Sequence, residues 1–246
     1  MAMNPKLLRP KASGKFYKSL RVGLQAYWRL DETAGAGNVS ALDSIGTSNL
    51  TSTNSVLSTT GLIGTARNFV AASLQTLSIA DGAVAQFGDG DWAICLWHFT
   101  TTGTGNNERI ISRSTANAGV QDQRIFFRPG GSNAIRFFTY YTDGTAANVV
   151  DSSNAVTANA WNFMALSHNA GVVTIQLNGT RATANRAVGK AFRSTVGPLL
   201  YFGGEGSSAA GAISGKLDEI AKWTRALSNA ELDALYNAGA GINLNK

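Results

Sequence analysis

Residues 211–241, with the sequence GAISGKLDEIAKWTRALSNAELDALYNAGAG, decide the fold. Three apolar residues bracket the acidic pair Asp218–Glu219, and this pattern predicts a strand that buries most of its length. They are Leu217, Ile220 and Trp223. The second half of the stretch predicts a helix of about three turns, which is marginal in water unless it packs on a folded surface. We therefore expect a closing strand and then a helix that seals the edge of the same sheet.

The predicted helix carries signals at both ends. Ser228 stands at the N-cap and Glu231 three residues later, which is the spacing of a capping box. Gly239 stands where a residue in the left-handed conformation would end the helix. The apolar positions form a hydrophobic staple across the cap and then one stripe along the helix. The staple pairs Leu227 with Leu232, and the stripe is formed by Leu232, Leu235 and Tyr236.

The segment GKLDEIAKWTRALSNAELDALYNAG resembles the end of laminin G-like domains in the concanavalin A-like lectin/glucanase superfamily. Three further blocks resemble the same family in the same order. They are GLQAYWRLDE at 23–32, DGDWAICLWHF at 89–99 and WNFMALSHNAGVVTIQLNGT at 161–180. The resemblance covers about residues 23–240, and it implies a jelly-roll sandwich of two antiparallel sheets without specifying a ligand.

The residue pattern favours the same all-β class. Only 15% of the residues are charged, and short β-branched and aromatic runs alternate with glycine-rich turns. The run 92–99 is apolar on both faces, which predicts a central strand that is covered on both sides. We predict an all-β, two-sheet antiparallel jelly roll at 23–246, with one short C-terminal helix and an extended N-terminal arm at 1–22.

The predicted arm holds six of the 21 basic residues and no acidic residue, so the remaining 15 basic residues balance the 15 acidic ones. Pro5, Pro10 and Gly14 disfavour a continuous helix there. Such a segment is free in isolation and orders on a partner, or it is simply a solvated tail. The predicted partner-binding residues are Lys6, Leu7, Leu8, Arg9, Lys11, Lys15, Phe16, Tyr17, Lys18 and Arg21, and Leu20 is a further apolar anchor.

The arm also bears on the cellular setting. It contains no long apolar segment of the kind found in a secretory signal, whereas the resemblance implies a sandwich that is usually extracellular. Virion proteins of tailed phages combine these properties, and NPKLLRPKASG resembles the N-terminal segments of such proteins. We expect a structural or decorating virion protein that is made in the host cytoplasm and binds other virion proteins or copies of itself. The alternative is a carbohydrate-binding module for host or environmental glycans.

Catalytic carboxylates are not evident in the sequence. Glycoside hydrolysis needs two carboxyl groups at a fixed separation, and glucanases with this fold carry them close together on one strand. Glu108, Glu205 and Glu231 are isolated. Asp218 and Glu219 are adjacent in a strand, so we expect their side chains to point to opposite faces. The sequence therefore predicts that the protein is not an enzyme.

No cofactor is predicted, although the resemblance implies that a structural calcium ion is an option at the rim. Asp31, Glu32 and Asp218 are the acids in the matching blocks that could meet there. His98 and His168 are too few for a zinc site without other ligands. The single cysteine, Cys95, excludes an internal disulfide and is expected in the core.

Three aromatic pairs are candidates for contact with a sugar or a protein. They are Phe126–Phe127, Phe137–Phe138 and Tyr140–Tyr141. Neighbouring strand residues face opposite sides, so one member of each pair is expected in the core and the other on the surface. Nucleic-acid binding is not expected, because Arg124, Arg128 and Arg136 belong to a part of the chain without net charge. No apolar run reaches the length of a membrane span.

Overall fold

The computed structural model describes residues 14–35, 37–101, 108–115, 121–127, 133–206 and 211–245. The predicted partner-binding residues Lys6, Leu7, Leu8, Arg9 and Lys11 lie outside these ranges. Fifteen strands and two α-helices are assigned within the described ranges. No helix in this part of the chain is long and apolar enough to cross a membrane.

The strands form two antiparallel sheets, as predicted. Sheet I has the order β13-β12-β11-β6-β15-β4-β3, and β1 also pairs with β15. Its strands are β1 (Leu24–Trp28), β3 (Leu57–Thr60), β4 (Thr65–Phe69), β6 (Trp92–Thr100), β11 (Ala160–Asn169), β12 (Val172–Leu177), β13 (Thr180–Asn185) and β15 (Gly215–Trp223). Sheet II has the order β10-β9-β8-β7-β14-β5-β2. Its strands are β2 (Thr51–Thr53), β5 (Thr76–Ile79), β7 (Arg109–Ser114), β8 (Gln121–Phe127), β9 (Ile135–Tyr140), β10 (Ala146–Asp151) and β14 (Leu199–Phe202).

The main core lies between the two sheets. Trp28 from sheet I and Phe202 from sheet II pack there with ring centroids 5.6 Å apart. The central strand β6 has apolar residues on both faces, as its sequence predicts. Ile94 and Leu96 join the inter-sheet core, whereas the alternate residues Cys95 and Trp97 belong to a second apolar cluster on the outer face of sheet I.

The closing helix α2 (Asn229–Tyr236) covers this second cluster. The predicted capping box between Ser228 and Glu231 is present, and Leu232 and Leu235 are buried against the sheet. Tyr236 stacks on Trp97 with ring centroids 6.0 Å apart. The expectation that the helix seals an edge is wrong: it lies on the outer face of sheet I, because β6 and β15 present large apolar side chains there.

The predicted end of α2 is wrong by two residues. Asn237 is the left-handed C-cap, with φ 46°, and its N–H bonds to the carbonyl of Asp233. Asparagine tolerates this conformation better than most non-glycine residues, so the helix ends before it reaches Gly239. Gly239, with φ 88°, lies in the short 3-10 turn that follows.

The predicted extended arm is corrected in its last third. Residues Gly14–Arg21 form helix α1. Leu20 is fully buried in the outer cluster of sheet I, so it anchors the chain on its own sandwich and is not available to a partner. Two side chains donate to carbonyls of this helix: Trp223 Nε1 to Leu20 at 2.6 Å, and the Arg225 guanidinium to Ser19 at 2.7 Å. These contacts explain why the local helix forms despite Gly14.

Candidate functional site

The acidic pair Asp218–Glu219 lies in a β-bulge, which corrects the expectation that the two side chains face opposite sides. The register shifts between Asp218 and Ala221, and Glu219 has φ 51°. A bulge places one extra residue on the strand and breaks the alternation of faces. Asp218 therefore pairs with Trp97, and Glu219 meets Tyr27, both on the outer side of sheet I.

Both carboxyl groups are enclosed. Asp218 Oδ2 accepts hydrogen bonds from the amides of Leu62 at 2.8 Å and Ile63 at 3.1 Å, and the Tyr27 hydroxyl donates to Glu219. Burial, together with the charge of other acids nearby, raises the pKa of Asp218 to about 7 and that of Glu219 to about 8. The pair is shielded from solvent and fixes a loop and a tyrosine to the sheet.

Two of the carboxylates considered for calcium, Asp31 and Asp218, accept hydrogen bonds from the same turn, and Glu32 accepts one from another segment. Asp31 Oδ1 accepts from the amide of Thr65 at 2.8 Å, and Glu32 Oε1 accepts from the amide of Leu42 at 2.7 Å. Asp218 holds the loop described above. Calcium needs six or more converging oxygen ligands, and no group of three metal-ligating side chains occurs in the described ranges. These residues do not fit a calcium site.

The histidines and the cysteine are structural. His98 is fully buried, and burial lowers its pKa to about 3. His168 Nδ1 lies 2.9 Å from the carbonyl oxygen of Gly90 and its ring stacks on Trp92. Burial raises the pKa of the Cys95 thiol well above its usual range, so it is an unreactive core residue, as expected.

The outer face of sheet II carries the surface members of the aromatic pairs. Phe137 and Tyr141 are buried in the core, whereas Phe138 and Tyr140 are half-buried on the outer face. This confirms the predicted alternation for both pairs. The outer two rings meet edge to face, with centroids 5.1 Å apart. The side chains of Phe126–Phe127 lie outside the described part of the structure.

The described arginines beside these rings are paired with carboxylates. Arg136 forms two hydrogen bonds with Asp151, at 2.6 and 2.8 Å, and these bonds raise its pKa. Arg193 bonds to Asp122 at 2.9 Å, and its guanidinium lies 4.6 Å from the centre of the Tyr140 ring. The side chain of Arg124 and the whole of Arg128 lie outside the described ranges. Each of these two described arginines is therefore neutralised by a carboxylate.

A recessed groove of about 260 Å³ lies at the other end of sheet II, over β2, β5 and β14. Thr76, Ser78 and Tyr201 form its floor, because the alternate residues Leu77, Leu200 and Phe202 enter the core. Its walls are Thr53, Asn54, Leu74, Leu199 and Gly206. Hydroxyl groups, an amide, an aromatic ring and two aliphatic side chains therefore line one cavity.

The rim of the groove is cross-linked. Asn54 and Leu74 both have a left-handed backbone, with φ 59° and 51°, although neither is glycine. Asn54 Nδ2 donates to the carbonyls of Ser73 at 3.0 Å and Leu74 at 3.2 Å. Gln75 Nε2 in turn donates to the carbonyl of Asn54 at 3.0 Å. Strained backbone that is held in place by such bonds is typical of pre-organised binding sites.

Tyr201 is held as a neutral hydroxyl at the floor of the groove. Burial raises its pKa, and the negative charge of Glu205 raises it further. Glu205 is fully buried and forms an ion pair with Arg109, and the Ser112 hydroxyl donates to the carbonyl of Gly204 at 2.7 Å. Tyr201 can therefore both donate and accept a hydrogen bond at neutral pH. Together with the neighbouring hydroxyls it suits a ligand that is rich in hydroxyl groups.

The sequence alone does not reveal this groove. Its floor comes from two strands more than a hundred residues apart in sequence, and its rim comes from turns that read as ordinary loops. The only local signal is that Thr76 and Ser78 alternate with Leu77, as Tyr201 does with Leu200 and Phe202. That alternation identifies a polar face without showing that the face is concave.

A family model of the concanavalin A-like lectin/glucanases superfamily, of laminin G type, matches residues 73–233. The chain belongs to this superfamily. The matched region contains most of sheet II and the acidic bulge of β15, so the resemblance seen in the sequence is confirmed. A search of curated proteins finds no significant match.

Three solved structures show the same fold at low sequence identity. Domain 4 of AbnA, an extracellular GH43 arabinanase from Geobacillus stearothermophilus in complex with arabinotriose, has a TM-score of 0.65 at 15% identity, covering 89% of this chain and 98% of that one. The binding domain of Paraclostridial Mosquitocidal Protein 1 has a TM-score of 0.68 at 16% identity, covering 89% of this chain and 53% of that one. The ligand-binding domain of botulinum neurotoxin serotype D, in complex with N-acetylneuraminic acid, has a TM-score of 0.63 at 13% identity, covering 91% and 52%. This chain thus spans the whole arabinanase domain and about half of each toxin domain.

Proposed function

We propose that the protein is a non-catalytic glycan-binding sandwich that holds its ligand in the groove of sheet II. The observation that carries the proposal is the lining of that groove, in which the hydroxyls of Thr76, Ser78 and Tyr201 surround a recess beside an aromatic ring. Sugar sites combine such hydrogen-bonding groups with an apolar ring face. Two relatives in fold support the proposal, because they were solved with arabinotriose and with N-acetylneuraminic acid.

The lining also supports the view that the protein is not an enzyme. None of the described residues that line the groove is a carboxylate. The adjacent acids Asp218 and Glu219 are enclosed on the other sheet. Incubation with β-glucans, arabinan, chitin and peptidoglycan should therefore release no reducing ends above a buffer control. Turnover that disappears on Asp218→Asn or Glu219→Gln would overturn this part of the proposal.

Binding can be tested with variants that remove one hydroxyl and keep the shape of the side chain. Thr76→Val and Tyr201→Phe should each weaken binding of the best oligosaccharide about two- to tenfold, because a net hydrogen bond contributes ~0.5–1.5 kcal/mol. Thr180→Val is the matched control, since Thr180 is exposed on sheet I. Titration calorimetry measures the affinities. Equal affinities for all four proteins would place the ligand elsewhere.

We propose that a phage particle displays this sandwich, either as a structural or as a decorating protein made in the host cytoplasm. The support is the charge of residues 1–22, which hold six basic residues and no acid. Helix α1 anchors this segment on the sandwich through the buried Leu20. Lys18 and Arg21 of the same helix are exposed. The other residues predicted to contact virion proteins are Lys6, Leu7, Leu8, Arg9, Lys11, Lys15, Phe16 and Tyr17.

Deletion of residues 1–13 tests this setting. The melting temperature should stay unchanged, because Leu20 and its contacts are kept, whereas incorporation into particles should be lost. Salt should weaken the attachment of the full chain, since exposed charges are screened over ~8–10 Å at physiological ionic strength. Full incorporation of the truncated protein would show that the basic segment is not the anchor.

A further inference from the structure

We infer that the groove selects a neutral glycan, one without carboxylate, sulfate or phosphate groups. This inference rests on the proposed glycan-binding function and adds the class of ligand to it. The first reason is the lining itself: within the described ranges, every polar side chain of the groove is a hydroxyl or an amide. Hydroxyl groups both donate and accept hydrogen bonds without carrying a charge, and this matches the hydroxyls of an uncharged sugar.

The second reason is the ion pair between Glu205 and Arg109, in which Glu205 lies near Tyr201. Glu205 is fully buried and lies close enough to Tyr201 to raise the pKa of its hydroxyl. Arg109 forms an ion pair with this buried acid and does not line the groove. An anionic ligand would lose its hydration in the recess and would find no cation among the described lining residues. Burial of a charge without a partner is strongly unfavourable.

The third reason is that two described arginines at the other end of the face are also paired with carboxylates. Arg136 is held by Asp151 through two hydrogen bonds, and Arg193 is held by Asp122 and lies over Tyr140. A ligand that extends from the groove along sheet II would therefore pass aromatic rings and neutralised pairs. This arrangement favours stacking and hydroxyl contacts over ion pairing.

The shape of the apolar part agrees with this ligand class. Leu74 and Leu199 stand on the walls, and the Tyr201 ring lies between them on the floor. A pyranose or furanose ring carries C–H groups on its faces and hydroxyls on its edge, so it presents both kinds of surface to the groove. The toxin domain that was solved with N-acetylneuraminic acid binds a charged sugar, and we expect the present chain to differ from it in this respect.

The test uses the full-length protein and matched saccharides. The neutral set is lactose, maltohexaose, cellohexaose, xylohexaose and arabinohexaose; the anionic set is 3′-sialyllactose, hexagalacturonate and a heparin hexasaccharide. We expect at least one neutral saccharide to bind, with an affinity that changes less than about twofold when salt is raised to 1 M, where the Debye length is ~3 Å. Thr76→Val should reduce that affinity about two- to tenfold, and Thr180→Val should leave it unchanged.

The possible results separate the two proposals. Binding of anionic saccharides alone, weakened by Thr76→Val and by salt, would overturn the neutral class while the glycan-binding groove stands. Neutral binding that Thr76→Val leaves unchanged would overturn the assignment to the groove and with it this inference. Failure of every saccharide to bind would overturn both the proposed function and the ligand class.

Discussion

The outer faces of the two sheets differ in what covers them. The outer face of sheet I is buried beneath α2, Leu20 of α1 and the C-terminal residues Ile242 and Leu244. The outer face of sheet II carries the half-exposed rings of Phe138 and Tyr140 and a recessed groove with a hydroxylated floor. One face contributes to stability, and the other is available to a ligand.

This difference follows from the pattern of apolar residues along the strands. In β6 most residues on both faces are apolar, and β15 is buried along nearly its whole length, so both strands are covered on both sides. In β9 outward polar and aromatic residues alternate with core residues, whereas in β5 and β14 the outward residues Thr76, Ser78 and Tyr201 line the recess and are largely buried within it. We therefore expect substitutions on the outer face of sheet I to change stability, and those on sheet II to change binding.

The largest effect is expected for Trp223→Ala on the covered face. Trp223 is fully buried, and its indole N–H bonds to the carbonyl of Leu20. Its loss should lower the free energy of unfolding by ~3–5 kcal/mol. The matched control is Trp161→Ala, because Trp161 is only half-buried at the margin of the same cluster. Equal shifts of the urea midpoint for the two variants would argue against a second core.

The next effect concerns the root of the N-terminal segment. Leu20→Ala should lower the free energy of unfolding by ~2–5 kcal/mol, since the leucine side chain is completely buried in the outer cluster. The exposed Val22→Ala, two residues further on, is the control and should shift stability by no more than ~0.5 kcal/mol. A midpoint that is insensitive to Leu20→Ala would mean that α1 does not dock on the sandwich.

A dependence on pH is expected from the acidic bulge. The raised pKa values of about 7 for Asp218 and about 8 for Glu219 mean that the folded state keeps protons that the unfolded state releases above its ordinary values of 3.8 and 4.5. Stability should therefore fall as pH rises, between 3.8 and about 7 through Asp218 and between 4.5 and about 8 through Glu219, by up to ~1.4 kcal/mol per pH unit for each group. Glu219→Gln should reduce this slope.

Thermal unfolding across this pH range measures the effect, and Asp233→Asn is a control because that carboxylate is largely exposed on α2. At lower pH, Glu231 makes stability change in the opposite direction, so that stability falls as pH falls. Burial opposes its ionisation, but bonds from Arg225, Ser19 and Ser228 lower its pKa to about 2. Its contribution is complete above pH 4.5 and is lost as pH falls towards 2. A profile for Glu219→Gln that is as steep as that of the unchanged protein would refute the role of the bulge.

The smallest effects compare a serine on the helix that covers sheet I with a serine on sheet II. Ser228→Ala removes the N-cap of α2 and should lower stability by ~1 kcal/mol without changing glycan affinity. Ser78→Ala removes a hydroxyl from the floor of the groove and should shift stability by no more than ~0.5 kcal/mol, while it weakens binding about two- to tenfold. Urea midpoints and titration calorimetry on both variants would show the reverse pattern if the roles of the two faces are misassigned.

Much of the fold could be predicted because its signals are local. The capping box at Ser228 and Glu231, the stripe through Leu232 and Leu235, and the apolar run of β6 each lie within a few residues of one another. The alternation in β9 likewise predicted that one of Phe137 and Phe138 lies in the core and the other on the surface. Periodicity and capping act over one turn or one strand, so a single sequence is enough to detect them.

The errors arose where a distant contact or a change in backbone conformation decides the outcome. The bulge at Glu219 breaks the alternation of faces, and nothing in the residue pattern marks it. Helix α1 forms although Gly14 disfavours it, because Leu20 is held by Trp223 more than two hundred residues away. Local propensity is a weak term beside such packing.

The sequence by itself determined the two-sheet class, the position of the closing helix and the neutral charge of the sandwich, because composition and short-range periodicity suffice for these. Only the tertiary structure decided that α2 covers a face, that Asp218 and Glu219 are enclosed together, and that Thr76, Ser78 and Tyr201 share a groove. The groove exists because sheet pairing sets β14 beside β5, and β5 beside β2. The recess, and the meeting of its lining residues, result from that strand pairing. The order of residues along the chain does not show which strands pair.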